Sequence, residues 1–190
     1  MTPRDLFVKI RMSPEINDNA AVKYSDYQLI SALNSVLSIV YNTLSFSSNS
    51  ILTESTQITL TDSAGTLPDD FLSVVSVFAA DGTTLNPQSK SFDVDEHTYK
   101  IIGNNIYSKN DTIQLVYKPY FIEVEYDTMD AAMILPNYFS ELLKKYSVIS
   151  LIGGINKQDS TIVQQVTNDV YALTSGREYT KIDVKPAWRI

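Results

Sequence analysis

The chain has 190 residues, of which 44% are hydrophobic and 19% charged, with a net charge of −7 and no cysteine. This composition fits a globular domain with a genuine core and excludes a disordered, collagenous or disulfide-stapled chain. The absence of cysteine removes thiol catalysis and cysteine-based zinc sites, and the acidic balance argues against a protein that clamps DNA. No apolar run approaches the roughly 18 residues of a membrane span, so no membrane partner is expected.

The N-terminal third contains the strongest helix signal. Residues 2–23 combine an apolar patch with an Asn/Asp cluster and predict a short, loosely held helix or arm followed by a turn. Ser25 is a typical N-cap, and Asp26 adds a negative charge in the first turn. Apolar residues then recur at steps of three and four, which predicts a helix over about 26–45 with one buried face. That stripe is formed by Leu29, Leu33, Val36, Val40 and Leu44.

The middle of the chain changes to a period of two. Alternating apolar and polar residues over about 57–127 predict several short strands, with turns at Asp81-Gly82 and Gly103-Asn104. This pattern predicts a small, mostly antiparallel sheet or sandwich with at least one solvated face. The last predicted strand presents an acidic face made by Glu123, Glu125 and Asp127.

Helices return near the C-terminus. Two are predicted at about 136–152 and 160–175, because Pro136 suits a first helical position and Gly153-Gly154 suits a helix end. Residues 177–190 have no period and are predicted to form an extended tail. The predicted fold is therefore α+β: one domain over 1–176, in which an antiparallel core of three main helices carries an inserted β region. The first helix should pack against Leu142, Tyr146, Ile149, Val166 and Val170.

The residues offer little for catalysis. The single histidine, His97, lies in a charged stretch beside a predicted strand and is interpreted as a solvated turn residue rather than a member of a triad. Carboxylates on one strand face point into the same solvent, whereas a glycosidase needs carboxylates from two elements converging in a pocket. Neither a dinucleotide-binding nor a Walker-type glycine motif occurs. We therefore expect no enzymatic activity, no cofactor and no metal.

Several short motifs resemble one family. They are INDN at 16–19 followed by YSDYQLISALN at 24–34, LPDDFLSVVSV at 67–77, and IQLVYKP at 113–119 followed by LPNYF at 135–139. Together they span roughly residues 5–175, and they resemble the head-to-tail connector (adaptor) proteins of tailed bacteriophages. The resemblance implies a dodecameric ring beneath the portal protein, with the helices forming the ring body and a C-terminal extension gripping the portal.

The same resemblance sets the expectations for partners and location. It implies a virion protein assembled in the host bacterial cytoplasm, which binds the portal protein above and a tail or nozzle protein below. Duplex DNA would pass through the ring without specific binding, so the channel surface should be acidic or neutral, and the face Glu123/Glu125/Asp127 is a candidate for it. The alternative is a carbohydrate- or receptor-binding tail module, which would need an exposed aromatic cluster on the β region.

The tail holds the only tryptophan, Trp188. It either folds back over the helices or anchors in a partner, and the partner interpretation gains because Pro186 favours an extended chain and because Trp and Arg often dominate interfaces. Basic tail residues in an acidic protein would complement an acidic groove on the portal. The predicted partner-binding residues are Tyr179, Lys181, Ile182, Val184, Lys185, Trp188 and Arg189.

Overall fold

The computed structural model of the chain describes residues 1–47, 50–88, 94–153 and 160–175. The described chain divides into two compact units. The helical unit comprises Met1–Leu52 and the described residues from Phe121 onward, and the β unit comprises Thr53–Tyr120. Each unit has a separate hydrophobic core.

Four helices and one short 3₁₀ turn make up the regular structure of the helical unit. They are α1 (Pro3–Arg11), α2 (Asp26–Ser45), a 3₁₀ turn (Asn137–Phe139), α3 (Ser140–Gly153) and α4 (Ser160–Ser175). The predicted bounds of α2 are confirmed. Its start is fixed by a capping box, in which the Ser25 hydroxyl accepts from the Gln28 N–H and the Gln28 side chain accepts from the Ser25 N–H.

The N-terminal segment is better ordered than its sequence indicates. It forms α1, with a capping box between Thr2 and Asp5, and it buries Leu6, Phe7 and Ile10 in the helical core. Of the two predicted alternatives, the short helix is confirmed and the arm is not, and the predicted loose attachment is wrong because the helix is packed into the core. A nine-residue helix is too short to be stable alone, so its order comes from this buried face.

The predicted stripe of α2 is buried as expected. Leu29, Leu33, Val36, Val40 and Leu44 lie in one cluster with Leu142, Tyr146, Val166 and Val170. Ile149 is the exception, because 36% of it is exposed.

Asp18 organises the loop between α1 and α2. Its Oδ1 accepts from the N–H groups of Val22 and Lys23 at 2.8 Å, and its Oδ2 accepts from the Tyr24 N–H and from Arg11 Nη1. Burial would raise the pKa of this carboxyl, but the backbone donors and Arg11 outweigh burial and hold it below its usual value. One side chain therefore fixes the approach to α2.

The β unit is a single seven-stranded sheet. Its strands, in chain order, are β1 (Glu54–Thr59), β2 (Ala64–Thr66), β3 (Phe71–Ala79), β4 (Thr84–Pro87), β5 (Thr98–Ile102), β6 (Asn105–Tyr107) and β7 (Thr112–Pro119). In space their order is β1-β7-β3-β4-β5-β6-β2. All neighbours pair antiparallel except β4 and β5, which are parallel, so the sheet is mixed.

Tight turns let this sheet curl almost closed. Asp62 and Ser63 both have positive φ (52° and 65°) and form the two-residue turn that brings β2 back beside β1. A Cβ on Gly65 would lie 2.5 Å from Ile58 Cγ2, so the first and last strands of the sheet approach closely at this glycine. The predicted turns at Gly82 and Gly103 are confirmed, with φ of 88° and 59°.

The predicted fold class is wrong. We expected a small, mostly antiparallel β insert on an antiparallel core of three helices. The described structure has instead a nearly closed mixed sheet of seven strands together with four helices. Strands of three or four residues, such as β2, β4 and β6, are too short to show a period, and a parallel pairing leaves no local signal.

The antiparallel arrangement of the helices is also wrong, because of the chain that enters the helical unit from β7. Residues 121–127, which we call the strap, run back along α2 toward its N-terminus. The contacts in chain order are Phe121 on Tyr41, Val124 on Asn34 and Tyr126 on Tyr27. The strap thus returns the chain to the end at which α2 begins.

Contacts of α1 agree with that path. Arg11 binds Asp26 at the start of α2, and Lys9 binds Ser140 at the start of α3. Because Lys9 and Arg11 are two residues apart on one helix, α2 and α3 begin at the same end of the helical unit. The chain reversal that an antiparallel pair needs is made by the strap, not by α3.

Candidate functional site

The strap lies on one row of α2. Tyr27, Asn34 and Tyr41 are spaced by seven residues, so they stack on one face of the helix. The aromatic rings at the two ends contact Tyr126 and Phe121, with ring centroids 5.7 Å and 5.2 Å apart. The strap is therefore held along its length by side chains of a single helix.

Asn34 makes the central attachment. It is nearly buried within α2, its Nδ2 donates to the Val124 C=O at 2.9 Å, and its Oδ1 accepts from the Val124 N–H at 2.9 Å. The side-chain amide therefore bonds the strap as a neighbouring strand would, satisfying both polar groups of one residue. Only Asn and Gln carry an amide donor and an amide acceptor side by side, and the Gln side chain is longer by one methylene group.

A turn closes the far end of the strap. The Thr128 hydroxyl accepts from the Glu125 N–H at 2.9 Å, and the Thr128 N–H donates to the Glu125 C=O at 3.2 Å. Beyond the turn, Met129 is buried, and the Arg4 N–H donates to its carbonyl. These contacts fix the position of Glu125 at the end of the strap.

The strap and α2 together form an open cleft of about 470 Å³. Its lining combines an aromatic pair, small hydroxyls and two carboxylates: Tyr27, Ser31, Asn34, Ser35, Glu123, Glu125 and Tyr126 are among the lining residues. Tyr27 and Tyr126 are both more than half exposed and stack with an interplanar angle of 25°. The cleft thus presents a flat apolar surface beside negative charge.

The carboxylates of the cleft are available to a ligand. Within the described ranges, neither Glu123 nor Glu125 has a salt-bridge partner. Carboxylates beside aromatic faces favour cationic groups, through charge pairing and cation–π contact. Both carboxylates belong to the same strap, so they do not flank a bond from two sides as glycoside hydrolysis requires.

The predicted acidic face is therefore only partly correct. Glu123, Glu125 and Asp127 are all exposed, but the segment is not a strand, and Ile122 between them is exposed as well. Only Glu123 and Glu125 line the cleft. The strand prediction failed because alternation over five residues cannot distinguish a strand from an extended segment that is anchored by side chains.

A second cleft of about 340 Å³ lies between α2 and α4. Phe46 and Tyr171 line it together with Ile39 and Val163. Phe46, the residue that follows α2, is 89% exposed. This cleft is more apolar than the first, and the sequence analysis did not single out any of its residues.

The remaining predicted residues divide into two groups. His97 lies in an exposed turn, where its backbone N–H donates to the Asp95 carboxylate, as expected of a solvated turn residue. All seven predicted partner-binding residues, Tyr179, Lys181, Ile182, Val184, Lys185, Trp188 and Arg189, lie outside the described residues.

The described part of the chain shows neither a cluster of metal ligands nor a membrane-spanning helix. Among residues 1–47, 50–88, 94–153 and 160–175, no three His, Asp or Glu side chains gather as metal ligands would. None of the described helices combines the length and apolar character needed to cross a bilayer.

Sequence reasoning missed Asn34 and the aromatic pair. The signal was present as the seven-residue spacing of Tyr27, Asn34 and Tyr41, which marks a second face of α2 beside the apolar stripe. What that face contacts depends on the path of residues 121–127, which no local pattern determines. In comparisons with known proteins, no family model matches the chain and no curated protein is significantly similar to it.

Proposed function

We propose that this protein is a structural virion protein: a head-to-tail connector that forms a ring of identical copies beneath the portal of a tailed bacteriophage. Its partners would be the portal protein, a downstream tail or nozzle protein, and duplex DNA that passes through without specific binding. The motif resemblance suggested this function, and the observation that carries it further is the apolar surface of the helical unit.

That surface is spread over several helices. Met12 at the end of α1 is 67% exposed and Phe46 at the end of α2 is 89% exposed, while Val8, Ile152 and Tyr171 are each about half exposed. Large apolar side chains on a surface favour contacts with other proteins. A ring needs two such contact surfaces on every copy, one for each neighbour, and exposed apolar residues on different helices suit that requirement.

The test is co-expression with the portal protein encoded in the same genome, followed by purification through a tag on the portal. Native mass spectrometry and negative-stain microscopy then measure the copy number and shape of the complex. We expect a closed ring of this chain on the portal. Failure of the wild-type chain to co-purify with portal, under conditions in which it is folded, would contradict the proposal.

Two variants locate the contact surface. Met12→Glu with Phe46→Glu places charges on exposed apolar positions, so folding should be retained while the ring is lost. Val75→Glu makes the same chemical change at a half-exposed position of β3 and serves as the matched control. If the double variant assembles as the wild type does, the helical surface is not the ring interface.

A second candidate function has one observation in its favour. The stacked pair of Tyr27 and Tyr126 is an exposed aromatic surface beside carboxylates, which is also how sugars are bound. The pair lies on the helical unit, whereas the alternative predicted from sequence needed it on the β region. Titration with oligosaccharides, compared between wild type and Tyr27→Ala, would test a carbohydrate-binding role.

A further inference from the structure

The cleft between α2 and α4 is formed by two helices that carry almost no charge. Helix α2 has one charged residue in 20, Asp26, and α4 has one in 16, Asp169, although 19% of the whole chain is charged. Asp26 binds Arg11 and Asp169 binds Lys145, and among the described residues every one that lines this cleft is uncharged. Exposed helix faces normally carry charged side chains, whereas the centres of protein interfaces are depleted of them.

The shape of this cleft suits the side chains of a helix. Phe46 and Tyr171 line it and are both exposed, while Ile39 is buried at its base. Val163, Thr167 and Tyr171 follow one another at steps of four residues, so they form a single row along α4. Apolar side chains of a third helix can pack into a groove between two such rows.

Helix α1 presents a pair of apolar side chains of this kind. Val8 and Met12 are four residues apart, so they lie on one face of the chain, and we call them the ridge. They point away from the buried face of α1, which contains Leu6 and Ile10. About half of Val8 and 67% of Met12 are exposed. The ridge is therefore an apolar surface that its own unit leaves uncovered.

The basic side chains beside the ridge already have partners. They are bound within the helical unit, where Arg4 contacts Asp130, Lys9 contacts Ser140 and Arg11 contacts Asp18. Covering the ridge with an uncharged surface would therefore leave none of these three groups buried without a partner, which would be costly.

The ridge and the cleft lie at different places on the helical unit. Arg11 binds Asp26, so α1 ends beside the first residue of α2. Ser38 is the first residue of α2 that lines this cleft, and it lies about 18 Å further along the helix at 1.5 Å per residue. One copy therefore presents two separate, dissimilar apolar surfaces. A ring of identical copies needs this arrangement, because each copy meets its two neighbours through different surfaces.

Charge favours a second copy of the chain as the occupant of the cleft. The net charge is −7, so two copies repel each other wherever their carboxylates approach. The cleft contributes no carboxylate to such a contact. A surface without charge also offers nothing to attract a strongly charged partner, whereas an apolar ridge loses no favourable interaction when it is buried there.

We propose that the ridge of one copy, Val8 and Met12, packs into the α2–α4 cleft of the next copy. The inference rests on the proposed connector function, and it deepens that function by naming the two surfaces through which neighbours in the ring meet. Phe46 and Tyr171 of one copy then cover Met12 of its neighbour.

The first experiment uses disulfide formation in the cysteine-free chain, within the ring purified on the portal. Under mild oxidation, Met12→Cys with Tyr171→Cys should give a ladder of linked dimers, trimers and larger species on a non-reducing gel, because every copy is joined to both neighbours. Met12→Cys with Gln165→Cys is the matched control, since Gln165 is exposed on the same helix and does not line the cleft. Each single variant should give no ladder.

The second experiment tests the same contact by charge. Met12→Glu should reduce the amount of chain recovered in the ring several-fold, because it places a carboxylate in the apolar cleft. Adding Tyr171→Lys should restore the ring by supplying an opposite charge across the contact. Adding Gln165→Lys gives the same net charge outside the cleft and should not restore it. Native mass spectrometry measures the copy number, and circular dichroism verifies that each variant is folded.

The outcomes separate this inference from the function on which it rests. If the folded wild-type chain forms no ring on the portal, the connector proposal is overturned and this inference with it. If the wild-type ring forms, the connector proposal stands. In that case equal ladders from the two cysteine pairs, or equal recovery with Tyr171→Lys and Gln165→Lys, would overturn the inference alone.

Discussion

The helical unit and the β unit satisfy their buried polar backbone in different ways. In the β unit, β7 is paired along its length with β1 on one side and β3 on the other, so the backbone groups bond one another. In the helical unit, the backbone of the irregular segments bonds to side chains instead: Asn34 bonds the middle of the strap, and Asp18 bonds the loop before α2.

This difference determines where a point mutation can release a segment. A backbone ladder survives the loss of any one side chain, because every residue contributes the same N–H and C=O. A segment held by one amide or one carboxylate loses its attachment with that side chain. The helical unit should therefore contain positions at which a small polar change frees a stretch of chain, and the β unit should not.

The largest effects should come from the two cores, where both units depend on apolar burial. Leu33→Ala in the helical core and Leu115→Ala in the β core remove side chains that are fully buried, and each should cost about 2–5 kcal/mol of unfolding free energy. Chemical denaturation measures both. Lys144→Ala is the control, and a Leu33→Ala variant no less stable than that control would contradict the helical core.

Asn34→Ala should have the next largest effect on stability. It also tests most directly the difference between the two units in how their backbone is hydrogen-bonded. It leaves the N–H and C=O of Val124 without their partners, at about 1–3 kcal/mol. Hydrogen exchange of residues 121–127 should rise with it. Gln114→Ala in β7 removes only a side-chain bond to Ser55 and keeps the ladder, so exchange in β7 should stay at the wild-type level.

Asn42→Ala is the control on the same helix, because Asn42 is exposed. If Asn34→Ala and Asn42→Ala give the same exchange in the strap, then the aromatic contacts at its two ends hold it and the amide does not.

The contribution of Asp18 to stability should be smaller, and its pH dependence should be confined to acid. Its pKa in the folded protein lies below its unfolded value of about 3.9, so its stabilisation is fully present above that value. It is lost as the pH falls through the folded pKa, when the carboxyl that holds Val22, Lys23 and Tyr24 is protonated. The melting temperature of Asp18→Asn should therefore fall less steeply than that of wild type between about pH 5 and pH 2. Parallel curves would contradict this role.

The smallest effect should come from the surface pair between α3 and α4. Lys145 lies 2.8 Å from Asp169, and about half of each side chain is exposed. The Asp169 partner holds the pKa of Lys145 above its usual value, but solvent limits the pair to about 0.2–1 kcal/mol. Lys145→Ala should therefore shift the melting temperature slightly, and 1 M salt should remove much of the difference from wild type.

Local sequence signals predicted secondary structure reliably where a long element contains both a capping residue and a repeated apolar spacing. Over twenty residues, the Ser25 cap and the repeated apolar spacing defined α2 with the bounds that the structure has. The turns at Gly82 and Gly103 were predicted for a similar reason, since both glycines adopt the positive φ that such turns require. The candidate site was only half predicted, since Glu123 and Glu125 were named but Asn34 and Tyr27 were not.

The sequence by itself therefore determined the position and buried face of α2, the two C-terminal helices, the strand-rich middle and the exposed carboxylates. Only the tertiary structure decided that β4 pairs in parallel with β5, that the sheet curls almost closed, and that the strap returns along α2 so that α3 begins beside its start. The physical reason is the range of the interactions. Caps, turns and periods act over a few neighbouring residues, whereas Asn34 and Val124 are ninety residues apart and meet only when the whole chain has packed.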